Sequence, residues 1–198
     1  MAAKRKVIAA KPSAAKKAVK KVAKKTAVKP AARKAPAKNA AAATAPASLA
    51  GKLAPAFSLT NDAGKKVSLK DFRGKRVILY FYPKDDTPGC TTQACAFRDA
   101  EADFGKTDAV VLGVSKDDVK SHQKFKTKYK LNFPLLADDA SVAEAYGVWK
   151  LKNMYGRKYM GIERSTFLIG EDGKVRAEWR KVSVSGHADE VIEALKSL

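Results

Sequence analysis

The chain has two cysteines, Cys90 and Cys95, and both fall in one short stretch, "PKDDTPGCTTQAC" (83–95). Pro88 and Gly89 precede the first; Thr91, Thr92, Gln93 and Ala94 separate the two. The stretch follows an apolar run and leads into a helical pattern. A cysteine at that junction meets the free N–H groups and the positive dipole end of a helix, which favour an anionic sulfur. Pro88 and Gly89 suit the sharp turn from strand to helix. Thr87 sets a hydroxyl in the same loop, able to donate to the sulfur or to a bound oxygen. The pattern points to thiol chemistry. A buried, inert cysteine is the competing reading, and the polar, turn-rich flanks count against it.

Other chemistries find less support. C-x4-C with only His122 and His187 elsewhere is not a zinc pattern, and neither a metal nor a cofactor is expected. His122 on a Lys-rich helix and His187 near a helix start are both expected at the surface. "GEDGK" (170–174) reads as a hairpin turn and not as a phosphate loop. Asp85–Asp86 and Asp117–Asp118 read as loop and helix-cap residues, not as an acid/base pair. Tyr146, Trp149 and Tyr155 read as packing residues, with lining the site or meeting a reductant as the alternative.

The elements around the cysteines follow from periodicity. "RVILYFYP" (76–83) is a buried strand, and Thr91 to Phe104 a helix with Phe97, Ala100 and Phe104 inward. "FSLTNDAGKKVSLKDF" (57–72) alternates about a turn, as a hairpin does. "AVVLGVS" (109–115) is a second buried strand. "KDDVKSHQKFKTKY" (116–129) is a charged helix with Val119, Phe125 and Tyr129 inward. "FPLLAD" (133–138) is a short strand and "SVAEAYGV" (141–148) a short helix. "GIERSTFLIG" and "KVRAEWRKV" form a hairpin about "EDGK", and residues 187–198 an amphipathic helix. The order β-α-β-α-β…β-β-α predicts an α/β domain with a mixed central sheet flanked by helices.

Charge divides the chain. Fourteen of the 40 basic residues lie in the first 50 positions, with none of the 20 acidic ones. That segment is low in complexity, with Ala at 20 of its 50 positions, no aromatic residue, and prolines at 12, 30, 36 and 46. It cannot bury enough apolar surface to offset its ordering entropy and is expected to be disordered. Residues 51–198 form the expected domain. No apolar run approaches the ~20 residues of a membrane span, and no secretory pattern appears. A reducing, cytoplasmic compartment follows, in which a reactive cysteine pair is favoured over a structural disulfide.

"FYPKDDTPGCTTQAC" resembles the active-site segment of peroxiredoxins, in particular the Q-type or bacterioferritin-comigratory class. The general pattern Pro-x-x-x-Thr-x-x-Cys is met by Pro83, Thr87 and Cys90. "YGVWKLKNMYGRKYMGIERSTFLI" (146–169) also resembles that class, with an Arg on a strand at Arg164. The likeness runs from about Leu53 to Leu198. Gln93 departs from it, standing where many members have Glu. The resemblance implies a thioredoxin-like fold and a thiol peroxidase acting on hydrogen peroxide and organic hydroperoxides. Cys90 would be the attacking thiolate that becomes a sulfenic acid. Thr87 and Arg164 would hold the peroxide oxygens, and Pro83 would shield the site from water. An Arg among apolar strand neighbours also calls for an anionic partner; a surface Arg on an edge strand is the alternative.

By the same resemblance Cys95 would be the resolving cysteine, paired with Cys90 in a disulfide and recycled by thioredoxin or a similar dithiol. Otherwise it is a core residue of its helix. Five residues apart on an ideal helix puts the Cα atoms about 8.7 Å apart, against about 4.4–6.8 Å for a disulfide. The pair closes only if the first turns of the helix unwind.

The basic segment resembles the tails of linker histones and bacterial histone-like proteins. Its expected partner is the phosphate backbone of DNA, read by charge without sequence, through residues such as Lys4, Arg5, Lys6, Lys16, Lys17, Lys20, Lys21, Lys24 and Lys25. A solubilising or cleavable segment is the plainer alternative. The reading for the whole is a monomeric peroxidase that is nucleoid-associated, or nuclear in a eukaryote. A DNA-compacting protein with an idle domain and a peroxide sensor that relays its disulfide are the alternatives.

Overall fold

The computed structural model describes residues 48–154 and 156–198. The basic residues named above as DNA contacts, and Tyr155, lie outside the described residues.

β3 (Arg76–Phe81) organises the core. Its alternation sends Val77, Leu79 and Phe81 into one buried cluster and Ile78 and Tyr80 into another. A strand apolar on both faces needs a layer on each side. It lies in a seven-stranded sheet with β1 (Ser58–Asn61), β2 (Lys66–Ser68), β4 (Ala109–Ser115), β5 (Leu135–Ala137), β8 (Ser165–Ile169) and β9 (Val175–Arg180). The spatial order is β2-β1-β5-β4-β3-β8-β9. β3, β4 and β5 run parallel; the remaining neighbours are antiparallel. This is the mixed, thioredoxin-like sheet that was expected.

The helices α1 (Pro88–Asp99), α2 (Glu101–Gly105), α3 (Val119–Tyr129) and α5 (His187–Lys196) cover the Ile78–Tyr80 face with Phe97, Phe104, Phe125, Val191 and Leu195. The short α4 (Ser141–Ala145) and Tyr146 cover the other. Gly113 on β4 is required where it stands: a Cβ there would come within 2.8 Å of the Tyr80 hydroxyl and of Leu135. The chain enters the domain at Leu49, whose N–H donates to Glu178 Oε2 at 3.0 Å.

Four expectations change. The helix expected from Thr91 to Phe104 begins earlier, at Pro88, which suits a first helical position, and breaks at Ala100, where ψ is 2°. No Gly or Pro marks that break. Tertiary packing sets it, with Phe97 and Phe104 both buried and their ring centroids 5.9 Å apart. Arg164 is not on a strand. It occupies the link between β7 (Arg157–Ile162) and β8, because the expected single strand divides between two partners. β7 pairs with β6 (Trp149–Met154), an unexpected ribbon separate from the main sheet that exposes Leu151, Tyr159 and Met160.

His122 and His187 are buried and not at the surface. His122 falls three residues after Val119 and three before Phe125, on the inward face of α3. His187 packs between Phe97 and Trp179. Its Nε2 lies 2.8 Å from Thr166 Oγ1 and its Nδ1 3.3 Å from Glu190. Burial pushes its pKa below the ordinary histidine value, partly offset by Glu190, while the Arg164 charge lowers it further.

The unfolded chain therefore takes up the proton at a higher pH than the folded one. The His187 contribution is fully present above about pH 6.5 and is lost as the pH falls from there towards the folded value. Denaturation midpoints of wild type and His187→Gln, measured from pH 8 to 5, are expected to show a shallower decline for the variant below about pH 6.5. Parallel declines would contradict this.

Candidate active site

The site is built where β3 ends and α1 begins. The chain leaves the sheet at Tyr82, turns through Pro83–Asp86 and starts α1 at Pro88 with Thr87 as N-cap. Cys90 is the third residue of α1 and only 1% exposed, packed in the layer that contains Tyr80 and Tyr82. Cys95, half-buried five residues on, and Cys90 are both free thiols.

Arg164 reaches across from the β7–β8 link. Its Nη2 donates to Cys90 Sγ at 3.3 Å and its Nη1 to Gln93 Oε1 at 2.6 Å. The link is held by Glu163 N–H on Val148 O (2.8 Å) and by Val182 N–H on Arg164 O (3.0 Å). Gly89 leaves room for the guanidinium: a Cβ there would stand 3.3 Å from Nη2. A fixed cation and a helix N-terminus thus converge on one sulfur, and both favour negative charge on it. Gln93 is buried and binds Arg164 without neutralising it, whereas Glu at this position would add a compensating charge.

The Thr87 side chain makes no cap bond to α1. Its hydroxyl donates to Lys84 O at 3.0 Å and not to the sulfur. With the proton committed, the oxygen lone pairs are left to accept a hydrogen bond from a ligand. Pro83 is exposed at the start of the same loop. Lys152 of β6 is half-buried nearby; burial and then the Arg164 charge push its pKa down.

Beneath the loop lies a polar cluster that sequence reasoning did not find. Asp85 is buried. Its carboxylate accepts from the Tyr82 hydroxyl (2.7 Å) and the Ser121 hydroxyl (2.7 Å), with His122 Nδ1 at 2.9 Å. Because a carboxylate only accepts, Nδ1 carries the proton. The Asp85 N–H donates to Asp117 Oδ2 at 2.8 Å, which also takes the Ser115 hydroxyl at 2.8 Å. Burial and the Asp85 charge hold the Tyr82 hydroxyl pKa well above its ordinary value. Tyr80 is likewise raised, chiefly by burial, and its hydroxyl has no hydrogen-bond partner among the described residues. Asp118 caps α3 as expected, accepting from Ser121 N–H at 2.8 Å. The i, i+3 spacing of Val119, His122 and Phe125 was the available signal for the buried histidine.

Among the described residues, no group of His, Cys, Asp or Glu could hold a metal ion, and no helix is long and apolar enough to cross a membrane. The buried sulfur, its guanidinium and the neighbouring hydroxyl are equipped for thiolate attack.

Comparison with known proteins agrees with this chemistry. The AhpC/TSA family matches residues 50–178. A putative peroxiredoxin bcp of Coxiella burnetii is 58% identical over 146 residues, 73% of this chain and 97% of the relative. Peroxiredoxin Bcp of Bacillus subtilis is 53% identical over 149 residues, covering 75% of this chain and 95% of its own. The structure of the Xanthomonas campestris bacterioferritin comigratory protein, which has alkyl peroxide reduction activity, superimposes with a TM-score of 0.69. It is 46% identical and covers 71% of this chain and 90% of its own. The chain belongs to the AhpC/TSA family and, within it, to the bacterioferritin-comigratory (Q-type) peroxiredoxins, thiol-dependent peroxidases.

Proposed function

We propose that Cys90 is the peroxidatic thiolate and Cys95 the resolving thiol of a cycle recycled by thioredoxin or a similar dithiol protein. The observation that carries this is the Arg164 contact with Cys90 Sγ, 3.3 Å, in the first turn of α1. The thiolate attacks the terminal oxygen of a hydroperoxide. An S–O bond forms, the O–O bond breaks, and the departing alkoxide takes a proton and leaves as alcohol, or as water from hydrogen peroxide. Sulfur is oxidised to sulfenic acid as the peroxide is reduced. Arg164 stabilises the negative charge shared by sulfur and oxygen in the transition state, and the Thr87 oxygen accepts from the peroxide O–H. Pro83 screens the sulfenic acid from water. Exposed Leu151, Tyr159 and Met160 on the neighbouring ribbon support organic hydroperoxides as substrates beside hydrogen peroxide.

Cys95 then attacks the sulfenic sulfur, water leaves and a disulfide forms. α1 runs unbroken from Pro88 to Asp99, so the first turns must open to bring the sulfurs together. Two thiols of a dithiol protein reduce the disulfide and become one themselves. The first 50 residues, with fourteen cations and no acid, tether this activity to DNA in the cytoplasm through phosphate contacts.

Three outcomes test the reading. Cys90→Ser is expected to abolish steady-state turnover, while Cys95→Ser consumes about one equivalent of peroxide and stalls as a sulfenic or overoxidised acid. Undiminished turnover by Cys90→Ser removes the assignment. Oxidation is expected to raise hydrogen exchange over residues 90–100; equal protection in both redox forms contradicts the opening of α1. Deleting residues 1–50 is expected to leave turnover of a small peroxide nearly unchanged and to remove most affinity for duplex DNA. If roughly 6–10 cations contact phosphates, binding by the full chain falls about 10³–10⁵-fold between 50 and 200 mM salt. Equal DNA retention by both proteins removes the nucleic-acid assignment.

A further inference from the structure

The loop that presents Thr87 carries two adjacent aspartates, and both are fastened to the same helix. Asp85 turns inward and meets the first half of α3: Ser121 Oγ at 2.7 Å and His122 Nδ1 at 2.9 Å, with its own N–H on Asp117 Oδ2 at 2.8 Å. Asp86 turns outward and meets the end of α3. Lys128 Nζ reaches both of its oxygens, at 2.8 and 2.7 Å, and the Tyr129 hydroxyl donates to Oδ1 at 2.6 Å. The lysine and tyrosine bonds hold the Asp86 carboxylate pKa below its ordinary value.

The backbone between these anchors is not relaxed. Asp86 has φ +54°, in the left-handed region that residues other than glycine seldom occupy. Such a conformation persists when its surroundings over-determine it. The next residue is Thr87, whose hydroxyl proton is fixed on Lys84 O, within the same loop. The direction of the Thr87 lone pairs is therefore set by the anchored turn and not by α1, to which the side chain makes no bond.

We propose that Asp85 and Asp86 are positioning residues of the peroxidase, with α3 as the keel that aims the Thr87 oxygen at the peroxide bound over Cys90. This rests on the roles proposed above for Cys90 and Thr87. The Asp86 anchor is exposed, and exposed ion pairs contribute little to stability. Its loss is expected to slow the peroxide step without unfolding the domain. Both anchors lie outside α1, so the aim of Thr87 survives each opening of the helix and is ready when Cys90 returns.

The test uses the full chain and two reagents for the same thiolate. Hydrogen peroxide needs the aimed Thr87 oxygen; iodoacetamide does not. Asp86→Ala and Lys128→Ala are expected to slow Cys90 oxidation by about tenfold, a misplacement effect, with alkylation by iodoacetamide within about twofold of wild type. Asp85→Asn is expected to act in the same direction. Thr87→Val provides the reference: in its background Asp86→Ala is expected to add no further loss, since the two act through one contact. Three outcomes overturn the proposal: an unchanged peroxide rate in Asp86→Ala, an equal fall in alkylation, or a full additional loss on top of Thr87→Val. If wild-type Cys90 is not oxidised by peroxide, or Thr87→Val reacts as wild type, the underlying catalytic reading fails first, and that is seen without any aspartate variant.

Discussion

A guanidinium held 3.3 Å from a buried sulfur is the interaction on which the site depends. An arginine set against a sulfur that is only 1% exposed is tolerated only when its donors find partners in good geometry. Much of the local architecture serves that need. Gly89 offers no side chain where Arg164 crosses the first turn. Gln93 takes the second guanidinium nitrogen without cancelling its charge. The β7–β8 link is pinned on both sides by backbone bonds, so Arg164 approaches from a fixed direction. The Tyr80–Tyr82 pair, stacked with centroids 5.3 Å apart, forms the wall against which Cys90 packs.

The helix that presents Cys90 carries opposing demands in the proposed cycle. It must be intact to direct its N–H groups at the sulfur, and must open to let Cys95 approach. The residue types along α1 reconcile the two. Around the buried Cys90 the first turn consists of Pro88, Gly89 and Thr91, none of them buried, so opening there exposes little apolar surface beyond the sulfur itself. The deep anchor comes later, at Phe97, packed on Tyr80 at 5.0 Å and on His187 at 5.9 Å. Opening can stop before that anchor, which makes it a local event rather than a loss of the domain.

Legibility followed the range of the interaction. β3 declared itself because six consecutive large apolar residues alternate between two buried layers, and the Ser58–Ser68 hairpin because its turn chemistry is local. Cys90 was legible for the same reason: turn, helix start and cysteine are neighbours in sequence. Arg164 was readable as a residue but not as a place, because one apolar-looking run divides between a ribbon and a sheet, and that division depends on strands far away in the chain. His122 was misread as a surface residue because it looked polar in a polar neighbourhood, and Asp85, read as the loop residue it is, gave no local sign of its burial. The two are partners 37 residues apart, and only the closure of β3 onto β4 brings them together. Here the helical spacing of His122 was the better guide, and the surrounding lysines misled.

The charge of the chain resolves into two scales. Screening at physiological ionic strength limits an exposed charge to about 8 Å. The cations of the basic segment act on whatever comes within that distance and on little else. The sulfur, itself buried, instead meets Arg164 in a part-buried contact at 3.3 Å, where screening is weaker. A strongly basic segment can therefore be joined to a thiol site without retuning it, provided the two are not docked. All 20 acidic residues lie beyond position 50, and several of them, Asp85 and Asp86 among them, are committed to internal partners. Acids committed in this way offer less charge to any outside cation than free carboxylates do.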